Sequence, residues 1–169
     1  MELYRPSLLD PDKHRRGEFD CGDSSLDEWL GEYAGQNRRG HTAATWVIAD
    51  AQYRVVAYAT LSMTGIDRSS APVPLAKGTP AVIPALLIGR LAVDQSATNL
   101  GLGTQLVIHV LATSVELNLK AACRAVVVNA RNERAYTWWQ RFGFVPFDPD
   151  DAGNLDLYLL SSDIQATLG

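Results

Sequence analysis

The stretch that most constrains this 169-residue chain is Gly89-Arg90-Leu91-Ala92-Val93-Asp94, followed by a polar loop and then by Leu100-Gly101-Leu102-Gly103-Thr104. The nearly continuous apolar run from Ala85 to Val93 reads as a central strand covered on both faces. Gly89 inside it signals a bulge or a close backbone approach. The two glycines after the loop let the backbone come close to a ligand. The helix they open has no carboxylate in its first turn. Free amides at a helix N-terminus form an anion site, and a pyrophosphate suits it. The usual nucleotide signatures are absent: there is no third glycine for the dinucleotide fingerprint and no Gly-Lys-Thr for a P-loop. Alone, a Gly-x-Gly equally marks a tight strand–helix turn.

The flanking sequence frames this unit. Asp23 to Arg39 is expected to be helical, with Ser25 and Glu28 at capping-box spacing. Leu26, Trp29, Leu30, Tyr33 and Ala34 would form its apolar face, and Gly40 its stop. Thr42 to Ala49 and Val55 to Met63 read as strands joined by a hairpin at Asp50-Ala51-Gln52. Thr64 to Pro84 holds four prolines and two glycines in 21 residues, and reads as a loop excursion within one domain. Leu102 to Leu119 is expected to be a helix, Arg124 to Asn129 a buried strand, and Glu133 to Phe142 a short helix ending at Gly143. An aromatic strand from Phe144 and a last strand at Leu155 to Leu160 complete the order. Strand–helix–strand in the middle implies a parallel pair with a right-handed crossover, hence an α/β chain forming a single domain over 1–169.

Composition narrows the function classes. With 47% hydrophobic and 20% charged residues, wholesale disorder is excluded. A net charge of −4 argues against a polycationic nucleic-acid binder, while a local basic patch stays open. Cys21 and Cys123 form neither a C-x-x-C pair nor a zinc spacing with His14, His41 or His109, so two reduced thiols and no metal are expected. The opening MELYRPSLLDPDKHRRGEFD lacks the apolar segment of a signal peptide, and no apolar run is long enough to span a bilayer. A soluble, cytoplasmic protein with no membrane contact is the expectation.

On these residues the chain resembles the GCN5-related N-acetyltransferases (GNAT). Their acyl-CoA motif is a strand, then Arg/Gln-x-x-Gly-x-Gly/Ala, then a helix. Here it reads Thr98-Asn99-Leu100-Gly101-Leu102-Gly103. The resemblance continues through the strand end at Asn129, through Ala135-Tyr136-Thr137-Trp138-Trp139-Gln140-Arg141-Phe142-Gly143-Phe144, and through the final strand. Phe19-Asp20-Cys21-Gly22 with Leu26, Trp29 and Leu30 is similar to the F-x-C-G-x-x-x-L-x-x-W/F-L opening of the TacT/AtaT-type toxins of type II toxin–antitoxin systems.

The resemblance implies a GNAT fold, with a mixed central sheet, a splayed parallel strand pair and flanking helices. It implies acetyl-CoA as co-substrate. The loop from Asn99 and Leu100 through Gly101, Leu102, Gly103 and Thr104 would hold the CoA pyrophosphate. The strand edge at Leu91, Ala92 and Val93 would pair with the pantetheine arm as an added strand does. A backbone N–H near Gly89 would stabilise the developing oxyanion. Asn129 would reach the pantetheine or the acceptor, or serve only as a turn residue. The toxin subgroup acetylates the α-amine of aminoacyl-tRNA and so blocks translation. It implies a ribbon–helix–helix antitoxin as partner and a homodimer.

The chain departs from that pattern in three ways. Thr98 and Leu100 replace residues that would contact phosphate, so weaker CoA binding is expected. Trp139 stands where the toxins carry a Tyr acting as general acid, and an indole N–H donates a hydrogen bond without giving up a proton. Tyr136 lies one turn earlier and is the candidate stand-in; aromatic core packing is the alternative for Tyr136 and Trp138. Finally, the acidic balance must be reconciled with a tRNA. The basic candidates are Lys13, Arg15, Arg16, Arg38, Arg39, Arg90, Arg131, Arg134 and Arg141. Arg38, Arg39 and Arg90 are taken as substrate-binding. Arg90, beside core-like Leu91, needs either an internal acidic partner or a place lining the cleft. No carboxylate or histidine base stands out, and His109 reads as structural. Two other functions remain open: a GNAT acetyltransferase of a small amine or a protein N-terminus, and a catalytically weak GNAT-fold binding or regulatory module.

Overall fold

A computed structural model describes residues 1–168. Its strands are β1 (Ser7–Leu8), β2 (Ala44–Ala49), β3 (Val55–Asp67), β4 (Val82–Val93), β5 (Ala125–Asn129), β6 (Val145–Pro146) and β7 (Asp156–Leu160). They form one mixed sheet in the order β1-β2-β3-β4-β5-β7-β6. The pairs β1–β2, β2–β3, β5–β7 and β6–β7 are antiparallel. β4 and β5 are parallel, in register from Ala85↔Ala125 to Ile88↔Val128. The helices are α1 (Ser24–Glu28), α2 (Ala34–Arg39), α3 (Val73–Ala76), α4 (Leu102–Asn118), α5 (Glu133–Gln140) and α6 (Ser161–Leu168). α4 joins the parallel strands, as the apolar periodicity predicts.

Residue contacts group the chain into two units, whose boundaries fall inside β3, β4 and α4. The first comprises Met1–Ser62 and Gly89–Val110. Its core includes Leu9, Phe19, Leu30, Val47, Val55 and Tyr58. The second comprises Met63–Ile88 and the chain from Leu111 onward. Leu75, Ile83, Ala85, Ala125, Val127 and Tyr158 cluster there.

Several expectations are corrected. Thr64 to Pro84 is not one loop: β3 continues to Asp67, a 3-10 turn covers Arg68–Ser70, α3 follows, and β4 starts at Val82. The prolines fit because Pro74 lies in the first turn of α3, where a missing amide costs nothing. The cap of α1 is Asp23, not Ser25; its carboxylate accepts the amides of Ser25 and Leu26. Trp29–Tyr33 is a π turn between α1 and α2. Its wider winding takes Tyr33 off the buried stripe, leaving it 43% exposed while Leu26, Trp29, Leu30 and Ala34 are buried. Arg16 donates to the Leu30 carbonyl at 3.1 Å. The expected strand from Phe144 shrinks to the two residues of β6, and β1 and α6 carry no signal strong enough to foresee. Neither cysteine is in a disulfide. Among the described residues no helix is long and apolar enough to cross a membrane.

Candidate active site

In the first unit, the end of β4 is fixed by Asp94. Its buried carboxylate accepts the amides of Asp20 (2.8 Å) and Ser96 (2.9 Å) and the Ser96 hydroxyl. Burial opposes its charge, but these donors, the Ser96 hydroxyl foremost, more than offset that and hold the carboxyl below its ordinary range. The Asp94 amide donates back to the Val56 carbonyl at 2.8 Å. From this anchor the chain passes through a 3-10 turn at Gln95–Ala97 into an exposed loop at Thr98, Asn99 and Leu100.

Asn99 (φ 65°) and Gly101 (φ 74°) both adopt left-handed backbone. The first amide of α4 to bond back along the helix is that of Gln105, to the Gly101 carbonyl at 3.1 Å. The amides of Leu102, Gly103 and Thr104 precede that bond and have no intrahelical acceptor. No acidic residue occupies the first turn of α4. The predicted anion cradle is therefore built from backbone, with buried Leu102 anchoring it and Thr98 and Leu100 pointing out. The parallel register with β5 covers Ala85 to Ile88 only, leaving Leu91, Ala92 and Val93 outside it. At Gly89 a Cβ would meet Thr60 Oγ1 at 3.1 Å, so this glycine serves a close approach.

Arg90 is half-buried in this unit, and its partner is an aromatic face rather than a carboxylate. The guanidinium lies 4.2 Å from the Trp29 ring centroid. Trp29 stacks on Tyr58 at 6.0 Å, and the Tyr58 hydroxyl donates to the Leu26 carbonyl at 2.7 Å. Burial pushes the Tyr58 phenol far above its ordinary value, against the pull of Arg90. Arg38 and Arg39 are exposed in the last turn of α2, and Arg38 also donates to the Leu9 carbonyl. His109 packs against the Trp46 ring at 4.2 Å, in line with a structural role.

In the second unit, Asn129 closes β5 and its amide donates to the carboxylate of Asp156, its register partner on β7. Both line a pocket of about 350 Å³, whose wall includes Ile66, Leu87, Val127 and Phe147 and whose polar residues include Asp67. Phe147 is braced edge-on against Tyr158 at 5.3 Å. The sequence reading finds no carboxylate here. The available signal was Asp156 at the head of an alternating strand, but only the register brings it to Asn129.

α5 in the same unit starts at Asn132, whose side chain accepts the Ala135 amide at 2.9 Å. Trp139 is 5% exposed. It packs edge-on against Trp138 at 5.0 Å and Phe144 at 5.3 Å. Trp138 also meets Phe142 at 4.8 Å, so core packing describes it. Tyr136 is half-buried. Of the predicted site residues, then, Arg38, Arg39 and the run from Arg90 to Thr104 belong to the first unit, and Asn129, Tyr136 and Trp139 to the second.

Comparison with known proteins agrees with this architecture. Residues 7–144 match the acetyltransferase (GNAT) family. The chain is 30% identical over 154 residues to the tRNA-acetylating toxin of Mycobacterium tuberculosis (strain ATCC 25618 / H37Rv), covering 89% of each. Its fold matches AtaT complexed with acetyl-methionyl-tRNAfMet at a TM-score of 0.87, with 24% identity over 99% of this chain and 100% of that one. It also matches a mutant AtaT toxin bound to the C-terminus of the antitoxin AtaR and acetyl-CoA, at a TM-score of 0.81, with 23% identity over 98% of each chain. The family match runs from β1 to the start of β6 and takes in the whole amide cradle, and this chain is a member of the GNAT family of acetyltransferases.

Proposed function

We propose that this chain transfers the acetyl group of acetyl-CoA to the α-amine of aminoacyl-tRNA, as a toxin of a toxin–antitoxin pair. The observation that carries the reading is the backbone cradle at Asn99–Thr104 in a chain 30% identical to a tRNA-acetylating toxin. Acetyl-CoA supplies the activated acetyl group. The amides of Leu102, Gly103 and Thr104 hold its pyrophosphate, and the edge of Leu91–Val93 binds the pantetheine arm. A backbone N–H near Gly89 faces the thioester oxygen. Trp139 offers no titratable proton; a thiol pKa near the ~8.5 of free cysteine lets the CoA thiolate leave without one, with Tyr136 one turn earlier as the candidate stand-in.

The tRNA is met by local charge rather than by the overall balance of −4. Arg134 in α5 and Arg141, the helical-backbone cap just past its end, are both exposed and seven residues apart, close to two helical turns and hence on one side. Arg38 and Arg39 are exposed at the end of α2. We take the chain to act as a single cytoplasmic domain, as a homodimer, restrained by a ribbon–helix–helix antitoxin. The bound antitoxin of AtaT supports an antitoxin as partner.

The test is transfer of radiolabelled acetyl from acetyl-CoA to total charged tRNA, alongside growth arrest on expression. Labelled tRNA with arrest is expected. Transfer to small amines or peptides alone identifies an ordinary GNAT enzyme. No transfer, with a protein partner still bound, identifies a binding module.

A further inference from the structure

The pocket of the second unit has a divided lining. Ile66, Leu87, Val127 and Phe147 are apolar, whereas Asn129, Asp67 and Asp156 are polar. Asp156 is half-buried, and its side chain accepts a hydrogen bond from the neutral Asn129 amide. The ion pairs Arg15–Glu18, Arg54–Glu18 and Arg54–Asp50 lie in the first unit, and neither Asp156 nor Asp67 belongs to them. A partly buried carboxylate that accepts from a neutral amide favours a cationic ligand. The pairing of Asn129 with Asp156 across β5 and β7 fixes where such a group would sit, and the Asn154 side chain accepts the Asp156 amide at 3.0 Å, which steadies the strand start.

We infer that this pocket seats the aminoacyl group of the acceptor and selects apolar side chains, with Asp156 positioning the α-ammonium. The inference rests on the proposed acetylation of aminoacyl-tRNA and adds the class of amino acid. An ammonium brings donors only, which suits the carboxylate of Asp156 and the side-chain oxygen of Asn129. The ammonium loses its proton to water, and the neutral amine keeps its hydrogen bond to Asp156 as it attacks. A volume of about 350 Å³ holds an aliphatic or thioether side chain against Leu87, Val127 and Phe147. An anionic side chain meets Asp67 and Asp156 at like charge. A lysyl side chain would bring a second ammonium against the apolar wall. Glycine leaves that wall unfilled.

The experiment measures acetyl transfer to leucyl-, methionyl-, glycyl-, lysyl- and aspartyl-tRNA, and to leucinamide against glycinamide. Leucyl- and methionyl-tRNA are expected to exceed the other three by tenfold or more in kcat/KM. Asp156→Asn, nearly isosteric, is expected to raise KM for the preferred charged tRNA about tenfold, with kcat within threefold and KM for acetyl-CoA unchanged. Phe147→Ala enlarges the seat and is expected to move the preference toward larger side chains. Equal transfer to glycyl- or lysyl-tRNA overturns the inference and leaves tRNA acetylation standing. So does an Asp156→Asn effect confined to kcat. Preference for leucinamide without transfer to any charged tRNA retains the pocket and removes the tRNA. No preference in either series, with no tRNA labelled, ends both.

Discussion

The two sites of this molecule are made of different material. The cradle of the first unit is backbone: left-handed turns at Asn99 and Gly101 and three unbonded amides at the start of α4. The pocket of the second unit is side chain: Asn129, Asp156 and an apolar wall. A backbone site tolerates substitution wherever the turn survives, which is how Thr98 and Leu100 coexist with an intact cradle. A side-chain site changes its ligand with each residue. Under the proposed reaction, the co-substrate would be read by dihedral angles and the acceptor by residue identity.

The largest effect that would sharpen this contrast is at Trp139. Restoring a phenol with Trp139→Tyr is expected to raise turnover by ~10²-fold, at the low end of general-acid assistance. If steady-state acetyl-CoA turnover does not rise, the buried indole is not what limits the rate. Next is the cradle itself. Gly101→Val forces a β-branched residue to φ 74°, at a cost of ~1–3 kcal/mol. Titration calorimetry should show CoA binding weakened by roughly 10-fold or more, while Leu100→Ala changes it by less than about 3-fold. Comparable losses from both would break the backbone account. Smaller still, Thr98→Arg should tighten CoA binding by ~3–10-fold through a charge-assisted phosphate contact. Tight binding by the wild type that this change does not improve would show that the missing side chain costs nothing.

The mildest test concerns the anchor of the cradle. Asp94 is held below its ordinary range in the folded chain, whereas the unfolded value is about 3.9. Its contribution is therefore present above about pH 3.9 and is lost as pH falls through the folded value. Asp94→Asn should cost ~1–2 kcal/mol near neutrality and lower Tm by ~2–8 °C. The gap between variant and wild type should narrow in melts run from pH 5 down to pH 3. A constant gap would mean that the carboxylate charge is not what the amides of Asp20 and Ser96 hold.

Legibility in the sequence followed the same division. The cradle was readable because every signal for it is local: an apolar strand, Asp94 at its end, Gly101 and Gly103, and a helix without early acids. The crossover through α4 followed from the same run. The pocket was not readable, because Asn129 and Asp156 meet only through strand register. The prolines from Thr64 to Pro84 suggest a loop, whereas Pro72 and Pro74 sit at the start of α3, where no amide is lost, and Pro84 lies inside β4. Tyr33 was assigned to the buried stripe because the expectation assumed regular winding, and nothing in the local composition announces a π turn. The sequence asks an acidic partner or a cleft for Arg90, and an aromatic face is not visible as a partner until Trp29 is placed beneath it.

That π turn has a consequence for changes of length. Trp29–Tyr33 carries more residues than a regular turn allows, and a Cβ at Gly31 would meet nothing within 4 Å. Replacing Gly31 by alanine should therefore be almost silent. Deleting it would let the segment close as regular α-helix: four residues at about 100° each cover nearly the same angle as five in the wider turn, so everything after it would keep its facing. Ala34 would stay on the buried stripe, and Arg38 would stay near the Leu9 carbonyl it caps. At this one place the chain accepts a missing residue more readily than a new one.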